Sequence, residues 1–221
     1  MKKLEVLGKA RSGAVTDNLY TKVGKRAFDF LVSIIGLFIF AIAYIILFIP
    51  YMLMDPGPML FQQSRLGKDG KIFKIYKFRS MRVNADEYLH ASKELFAEYV
   101  AAGYKLEPER DPRMTKIGRF IRKTSIDELP QFINVFKGEM SLVGPRPIVV
   151  EELEEYGIKK GLFLKMKPGI TGVWQTSGRS NVTYPARVDL ELSYLNQPSF
   201  FSDVKILFLT AVQVVMHDGA Y

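Results

Sequence analysis

The feature that most constrains this chain is a long apolar segment near its beginning. No charged residue occurs between Phe30 and Met54, and a helix of about 20 apolar residues is long enough to cross the hydrocarbon core of a bilayer. All faces of such a helix are apolar, which argues against a place in the core of a soluble domain. A long polar stretch precedes the segment, which argues against a cleaved signal peptide. The sequence therefore predicts a helix inserted into a membrane.

The charge on both sides of this segment predicts how it sits in the membrane. Residues 1–21 form a basic tail, and the chain beyond the segment carries six cations, at Arg65, Lys68, Lys71, Lys74, Lys77 and Arg79. Short basic flanks stay in the cytoplasm, so a single straight span would put one flank on the wrong side. We predict that residues 22–58 form a re-entrant helical segment, which enters one leaflet and returns. Gly36 and Pro50 are the only evident positions for its bend.

Composition narrows the classes of function. The 221 residues suffice for one catalytic domain, which we predict at residues 59–221 on the cytoplasmic side. The net charge of +8 suits phosphorylated substrates, anionic lipid or nucleic acid. There is no cysteine, which excludes a disulfide framework, a thiolate nucleophile and a cysteine-ligated zinc site. The only histidines, His90 and His217, are too few for a histidine-based metal site or triad.

Periodicity and turn residues predict an α+β fold, with a mostly helical compact domain and a small β-hairpin. The strands are predicted at Met59–Gln63 and Lys71–Phe78, joined through residues 67–70. The helices are predicted at Asn84–Ala102, Lys116–Lys123, Leu129–Lys137 and Phe200–Met216. The second and the last of these helices are expected to pack on the domain or to lie at the membrane interface.

An acidic pair, Asp127 and Glu128, lies in the most basic part of the chain and is the strongest indication of chemistry. Nearby cations keep a carboxylate ionised and therefore nucleophilic, and arginine forks bind phosphate. A structural alternative is a capping box formed by Ser125 and Glu128. Pro130 argues against that register, because it would then lie inside the helix and lose a hydrogen bond. From spacing alone, a catalytic pair and a helix cap both remain open.

A glycine-rich segment at residues 167–179 is a second candidate for ligand binding. Its glycines would let backbone N–H groups approach a phosphate, and Gln175 and Arg179 could contact the ligand. Such segments are also common turns, so this one predicts little by itself.

Seven short stretches, taken in order, identify a family. The chain resembles the bacterial sugar transferases, which are monotopic polyprenol-phosphate phosphoglycosyl transferases, from about Lys22 to its C-terminus. The matching stretches are Lys25–Asp29, Phe61–Gly67, Lys77–Met81, Asp111–Thr115, Asp127–Gln131, Gly144–Pro147 and Pro168–Gln175. Seven motifs in the same order are far more specific than any one of them.

The resemblance implies an activity and assigns roles. A sugar 1-phosphate would pass from a UDP-sugar to undecaprenyl phosphate at the cytoplasmic face of the bacterial inner membrane, with release of UMP. By the match, Asp127 is the nucleophile that forms a phosphosugar intermediate, and Glu128 is its partner in metal binding or acid–base work. Mg²⁺ would be the cofactor, held at Asp127 and Glu128. The candidates for holding phosphates are Lys77, Arg79, Arg113 and Arg146.

The resemblance is incomplete at two places. Family members commonly carry a Ser-Pro break in the membrane helix, where this chain reads Phe40-Ala-Ile-Ala43, and larger members carry further N-terminal spans. This sequence shows no such additional spans, so we expect it to be the minimal catalytic form of the family. The residues at the C-terminus, from Val215 to Tyr221, look more like those of members that transfer a hexose 1-phosphate than of members that transfer an acetamido sugar. This resemblance implies UDP-galactose or UDP-glucose as the donor. We expect the bilayer to be a partner, a homodimer remains open, and no nucleic acid is expected. The alternative is a non-enzymatic, membrane-anchored basic module that binds anionic lipid or nucleic acid.

Overall fold

The computed structural model describes residues 19–101, 106–107, 109–177, 182–196 and 198–216. A π-helical turn, Tyr20–Gly24, leads into the first helix. The helices are α1 Lys25–Met54, α2 Ala85–Ala91, α3 Lys93–Ala101, α4 Lys116–Lys123, α5 Phe132–Lys137, α6 Lys160–Leu164, α7 Val173–Thr176, α8 Ala186–Ser193 and α9 Phe200–Met216. The strands are β1 Leu60–Leu66, β2 Ile72–Phe78, β3 Ser141–Val143 and β4 Gly169–Thr171. The predicted α+β class is confirmed.

Helix α1 lies along the globular domain and is attached to it at both ends. Near its start, the Lys25 ammonium donates to Asp203 of α9 at 2.6 Å. Near its end, the Tyr51 hydroxyl donates to the backbone carbonyl of Arg79. Only one face of α1 is buried, and the rest of its surface is apolar and exposed. Within the described residues, Tyr20–Met54 is the one helix long and apolar enough to cross a membrane.

The two positions considered for a bend do not interrupt this helix. Gly36 and Pro50 both lie inside the continuous helix α1. Gly36 faces the ring of Phe132 at the start of α5, where a side chain would have no room. The chain therefore remains helical through both positions, and entry into one leaflet with return stays a prediction.

The predicted hairpin forms with slightly shifted limits. Strands β1 and β2 pair antiparallel, with Leu60 opposite Phe78 and Leu66 opposite Ile72. A short 3₁₀ turn at Lys68–Gly70 joins them. Strands β3 and β4, which the sequence did not predict, form a second and parallel pair.

Two of the predicted helices differ in the structure. The helix expected at Asn84–Ala102 is divided into α2 and α3, because the backbone is extended at Ser92. The helix expected at Leu129–Lys137 begins earlier, as a 3₁₀ helix over Ile126–Gln131, and becomes α-helical only at Phe132. Helix α4 has the predicted limits, and Thr115 caps it by accepting a hydrogen bond from the Gly118 amide at 3.0 Å.

Two apolar clusters hold the elements together. The larger one lies between the hairpin, β3, α5, α6, α8 and α9. The smaller one joins the C-terminal half of α1 to α4 and to the ends of the hairpin strands, through Leu47, Tyr51, Met59, Phe78, Ile117 and Ile121. Ile126 and Leu129, on either side of the acidic pair, pack against this smaller cluster. The acidic pair is thus fixed directly on helix α1.

Candidate active site

The acidic pair lies in the short 3₁₀ helix Ile126–Gln131. Ser125, which precedes it, has a left-handed backbone with φ of 57° and its side chain caps nothing. The Glu128 side chain points instead to Lys77 of β2, whose ammonium donates to it at 3.0 Å. The capping-box alternative is therefore wrong, and neither carboxylate is needed for a capping box.

Asp127 is buried, with 6% of its surface exposed. Burial raises the pKa of its carboxyl to about 6, and the neighbouring Glu128 adds to the rise, while Lys77 and Arg122 oppose it. A carboxylate that is poorly solvated yet ionised near neutral pH is a stronger nucleophile than one in water.

Glu128 has the opposite electrostatics. Burial acts to raise the pKa of its carboxyl, but the charges of Lys77 and Arg146 outweigh that effect, and hydrogen bonds from Lys77 and Gln131 assist them, so that the pKa is lowered. Glu128 is therefore a fixed negative charge. Two adjacent carboxyls whose pKa values are driven apart are typical of a site with divided roles.

A cationic cavity opens beside Glu128. It has a volume of about 20 Å³, which is room for roughly one water molecule. Its lining residues are Arg65, Ile75, Lys77, Glu128, Gln131, Arg146, Pro147, Ile170 and Gln175. Three cations from three separated parts of the chain line this opening, and such convergence suits the charged oxygens of an anion bound against its mouth.

Arg146 is the cation of this set that is open to a ligand. Its guanidinium has no carboxylate within ion-pairing distance in the described part of the chain, and it lies 5.8 Å from the ring of Trp174. Lys77, by contrast, is already paired with Glu128, and Arg65 lies 3.8 Å from a carboxylate oxygen of Glu152.

Two of the predicted phosphate-binding residues lie elsewhere. Arg79 is 5% exposed, and its guanidinium donates to the Asp55 carboxylate at 2.9 Å and to the Pro58 carbonyl at 2.7 Å. Arg113 is 4% exposed, and its guanidinium forms two hydrogen bonds with Asp111. The structure brings neither of them into the cavity, and Arg79 instead fastens the end of α1 to the hairpin.

The glycine-rich segment is explained by contact between chain segments. A side chain at Gly169 would come within 2.1 Å of the Gly144 amide nitrogen, and one at Gly172 within 2.1 Å of the Gly144 carbonyl. The Gly169 amide donates to the Pro145 carbonyl at 2.8 Å, so it is already used. These glycines let β4 lie against the turn after β3. Gln175 lines the cavity, and Arg179 lies outside the described residues.

Comparison with known proteins is decisive for the family. The profile described as bacterial sugar transferase matches residues 20–217 of this chain. The chain belongs to this family. It is 49% identical over 199 residues to the galactosyl transferase CpsE of Streptococcus agalactiae serotype III, a match that covers 90% of this chain and 43% of that protein.

Two further members of the sugar transferase family extend the comparison. The undecaprenyl-phosphate galactose phosphotransferase of Salmonella typhimurium is 47% identical over 201 residues, which cover 89% of this chain and 41% of that protein. The exopolysaccharide production protein ExoY of Rhizobium meliloti is 38% identical over 203 residues, which cover 90% and 88%. The chain thus spans about two fifths of the first two relatives and nearly all of the third.

Three residues of the site were not predicted from the sequence, although two of them lie in motifs that identify the sugar transferase family. Arg65 lies within the stretch Phe61–Gly67, and Gln131 ends the stretch that begins at Asp127. Arg122, on α4, is close enough to Asp127 to lower the pKa of its carboxyl. The positions of Arg65 and Gln131 within motifs were the available signal, but the directions of all three side chains depend on the fold.

Asp127 and Glu128 could bind Mg²⁺ only together with ligands from the substrate. Among the described residues no group of three or more histidine, aspartate or glutamate side chains forms a metal cage. Asp127 and Glu128 offer two adjacent carboxylates, and Mg²⁺ is commonly bound by one or two carboxylates together with substrate phosphates and water. The two residues therefore suit a metal that arrives with a diphosphate.

Proposed function

We propose that this chain is a phosphoglycosyl transferase that moves a sugar 1-phosphate from a UDP-sugar to undecaprenyl phosphate. The observation that carries the proposal concerns Asp127, which is buried and has a raised pKa. The next residue, Glu128, lines a cavity together with Arg65, Lys77 and Arg146. The names of the relatives, a galactosyl transferase and an undecaprenyl-phosphate galactose phosphotransferase, favour the same chemistry and UDP-galactose as the donor.

In the first step an oxygen of the Asp127 carboxylate attacks the β-phosphorus of the UDP-sugar. The bond from that phosphorus to the bridging oxygen breaks, and this oxygen leaves with its electron pair as part of UMP. The sugar phosphate remains on Asp127 as an acyl phosphate. Arg146, Arg65 and Lys77 stabilise the charge on the phosphoryl oxygens, which is the main task of the protein in phosphoryl transfer.

In the second step a phosphate oxygen of the lipid attacks the same phosphorus. The bond to Asp127 breaks and its electron pair returns to the carboxylate, so the product is a lipid diphosphate sugar and the enzyme is restored. Mg²⁺ bound at Asp127 and Glu128 would supply neutralisation of the diphosphate charge.

The acceptor would reach Asp127 from the membrane side. Helix α4 exposes 56% of Phe120, and the exposed faces of α1 and α9 are also apolar, as expected of surfaces in contact with lipid. Arg122 lies on α4 close to Asp127. We infer that the domain rests on the cytoplasmic face of the inner membrane, where it would start the synthesis of a surface glycoconjugate.

The two-step chemistry can be tested without the acceptor. With UDP-galactose labelled in the sugar, Mg²⁺ and no lipid, the native protein should release about one UMP per active site and retain labelled sugar phosphate on Asp127. Asp127→Asn should release none. Label on another residue would overturn the assignment. A protein that needs the lipid before it releases any UMP, and that retains no label without it, would indicate direct transfer. A binding module would release no UMP with UDP-galactose, UDP-glucose or a UDP-acetamido sugar.

A further inference from the structure

A buried carboxylate behind the cavity contacts the backbone of Arg146. Glu191 of α8 is 1% exposed. It accepts hydrogen bonds from the Arg146 amide at 3.3 Å, from Arg187 Nε at 3.1 Å, and from the Tyr156 hydroxyl. Arg146 stands between Pro145 and Pro147, which have no N–H. The one backbone donor of this tripeptide is therefore directed to Glu191.

The side chain of Arg146 meets the same group of residues by another route. Arg187 is 7% exposed, and its guanidinium lies 4.3 Å from the ring of Trp174 and 4.7 Å from that of Tyr184. The guanidinium of Arg146 lies 5.8 Å from the same Trp174 ring. Both the backbone and the side chain of Arg146 thus contact the Glu191–Arg187–Trp174 network.

The form of this network suggests more than stabilisation of the fold. Arg187 Nη2 is buried and has no hydrogen-bond partner among the described residues. A buried charge with an unused donor is costly, and apolar residues of similar size would often give an equally stable core. A fixed network behind a substrate-binding arginine, however, holds it ready for the charge that develops in the reaction.

We propose that Glu191 and Arg187 are positioning residues, which hold the Arg146 guanidinium in the direction required to bind the diphosphate of the substrate. The inference rests on the proposed function for the identity of that substrate. The binding it describes can nevertheless be measured without turnover, since any ligand that presents a diphosphate should engage Arg146.

Trp174 provides a direct measurement, because it is the only tryptophan in the chain and lies beside both arginines. UDP with Mg²⁺ should change its fluorescence in the detergent-solubilised full chain. Glu191→Gln keeps the size of the side chain but removes its charge, and it should weaken UDP binding about tenfold, within the range measured for coupled neighbours. In an Arg146→Lys background, Glu191→Gln should cause little further loss of affinity, because the residue it positions is already absent.

Asp203→Asn is the matched control. Asp203 is another buried carboxylate, which accepts from Tyr20, Lys25 and Tyr194, but it has no hydrogen bond to the Arg146 turn. The Asp203→Asn substitution should lower the midpoint of thermal unfolding and leave UDP affinity unchanged. Equal losses of affinity in Glu191→Gln and Asp203→Asn, or additive losses for Glu191→Gln and Arg146→Lys, would overturn the positioning role.

The two proposals fail in different ways. UDP binding that depends on Glu191 through Arg146, in a protein that releases no UMP from any UDP-sugar, would support the positioning role and contradict the transferase. Release of UMP without any fluorescence response to UDP, or with a response indifferent to Arg146→Lys, would contradict the positioning role alone.

Discussion

The ring of Phe132 occupies the space that a side chain at Gly36 would need, since a Cβ atom there would lie 2.3 Å from the Phe132 ring. This contact brings helix α1 against α5, which directly follows the segment that carries Asp127. The position of Asp127 relative to α1 therefore depends on a glycine within the apolar segment.

Gly36→Ala should destabilise the protein by about 1–3 kcal/mol, as overpacking usually does, and should lower UMP release. The midpoint of thermal unfolding in detergent measures the first effect. Phe132→Leu in the same chain should restore part of the loss by making room. Ile45→Ala, on the side of α1 where Ile45 is 72% exposed, should change neither property. No loss in Gly36→Ala would show that α1 is not held against α5.

Neutral substitutions at the two carboxylates should shift stability in opposite directions. The folded pKa of Asp127 is raised to about 6, so at pH 8 its charge opposes folding by about 3 kcal/mol or less. Asp127→Asn should therefore raise the thermal midpoint while it abolishes turnover. The folded pKa of Glu128 is lowered, so its charge favours folding above its unfolded pKa. Glu128→Gln should lower the midpoint at pH 8. A loss of stability in Asp127→Asn would indicate a structural role.

The rate of the first step should depend on the ionisation of Asp127. Below pH 6 its carboxylate takes up a proton, so the burst of UMP without acceptor lipid should slow about tenfold for each further pH unit. Omitting the lipid removes the titration of its phosphate. Because Arg122 acts to lower this pKa, Arg122→Gln should move the midpoint of the profile to higher pH. A midpoint near 4, or an unchanged midpoint in Arg122→Gln, would contradict this assignment.

Sequence patterns predicted the local elements well and their contacts poorly. Helix α4 and the hairpin follow from periodicity and turn residues, which act between near neighbours. Whether Arg79 faces a ligand or the Asp55 carboxylate depends on residues far apart in the chain, and no local pattern decides it. Arg65 and Gln131 were missed for the same reason. The parallel pairing of β3 with β4 joins three-residue strands, too short for a periodic signal.

The two arginines that sequence reasoning treated alike should respond differently to lysine. Arg146→Lys keeps the charge but loses the planar fork, and it should cut turnover by roughly 10² or more with little change in stability. Arg79→Lys removes the hydrogen bonds that fasten α1 to the hairpin, so it should lower the thermal midpoint. Rates of UMP release and thermal unfolding of both variants separate the two roles. Near-normal turnover in a stably folded Arg146→Lys variant would show that the Arg146 guanidinium does not bind a phosphate in the transition state.

The attachment of both ends of α1 to one domain predicts the topology. Lys25 is bound to Asp203 and Tyr51 to the Arg79 backbone, and a domain that remains in the cytoplasm would keep both ends of the helix there. Because the chain has no cysteine, a cysteine introduced at Asn18 or at Ser64 would be the only thiol that a labelling reagent can modify. Both should resist a membrane-impermeant thiol reagent in intact cells and react once the cells are opened. Labelling of the Asn18→Cys variant alone in intact cells would demonstrate a full span, and α1 would then have to separate from the domain at one end.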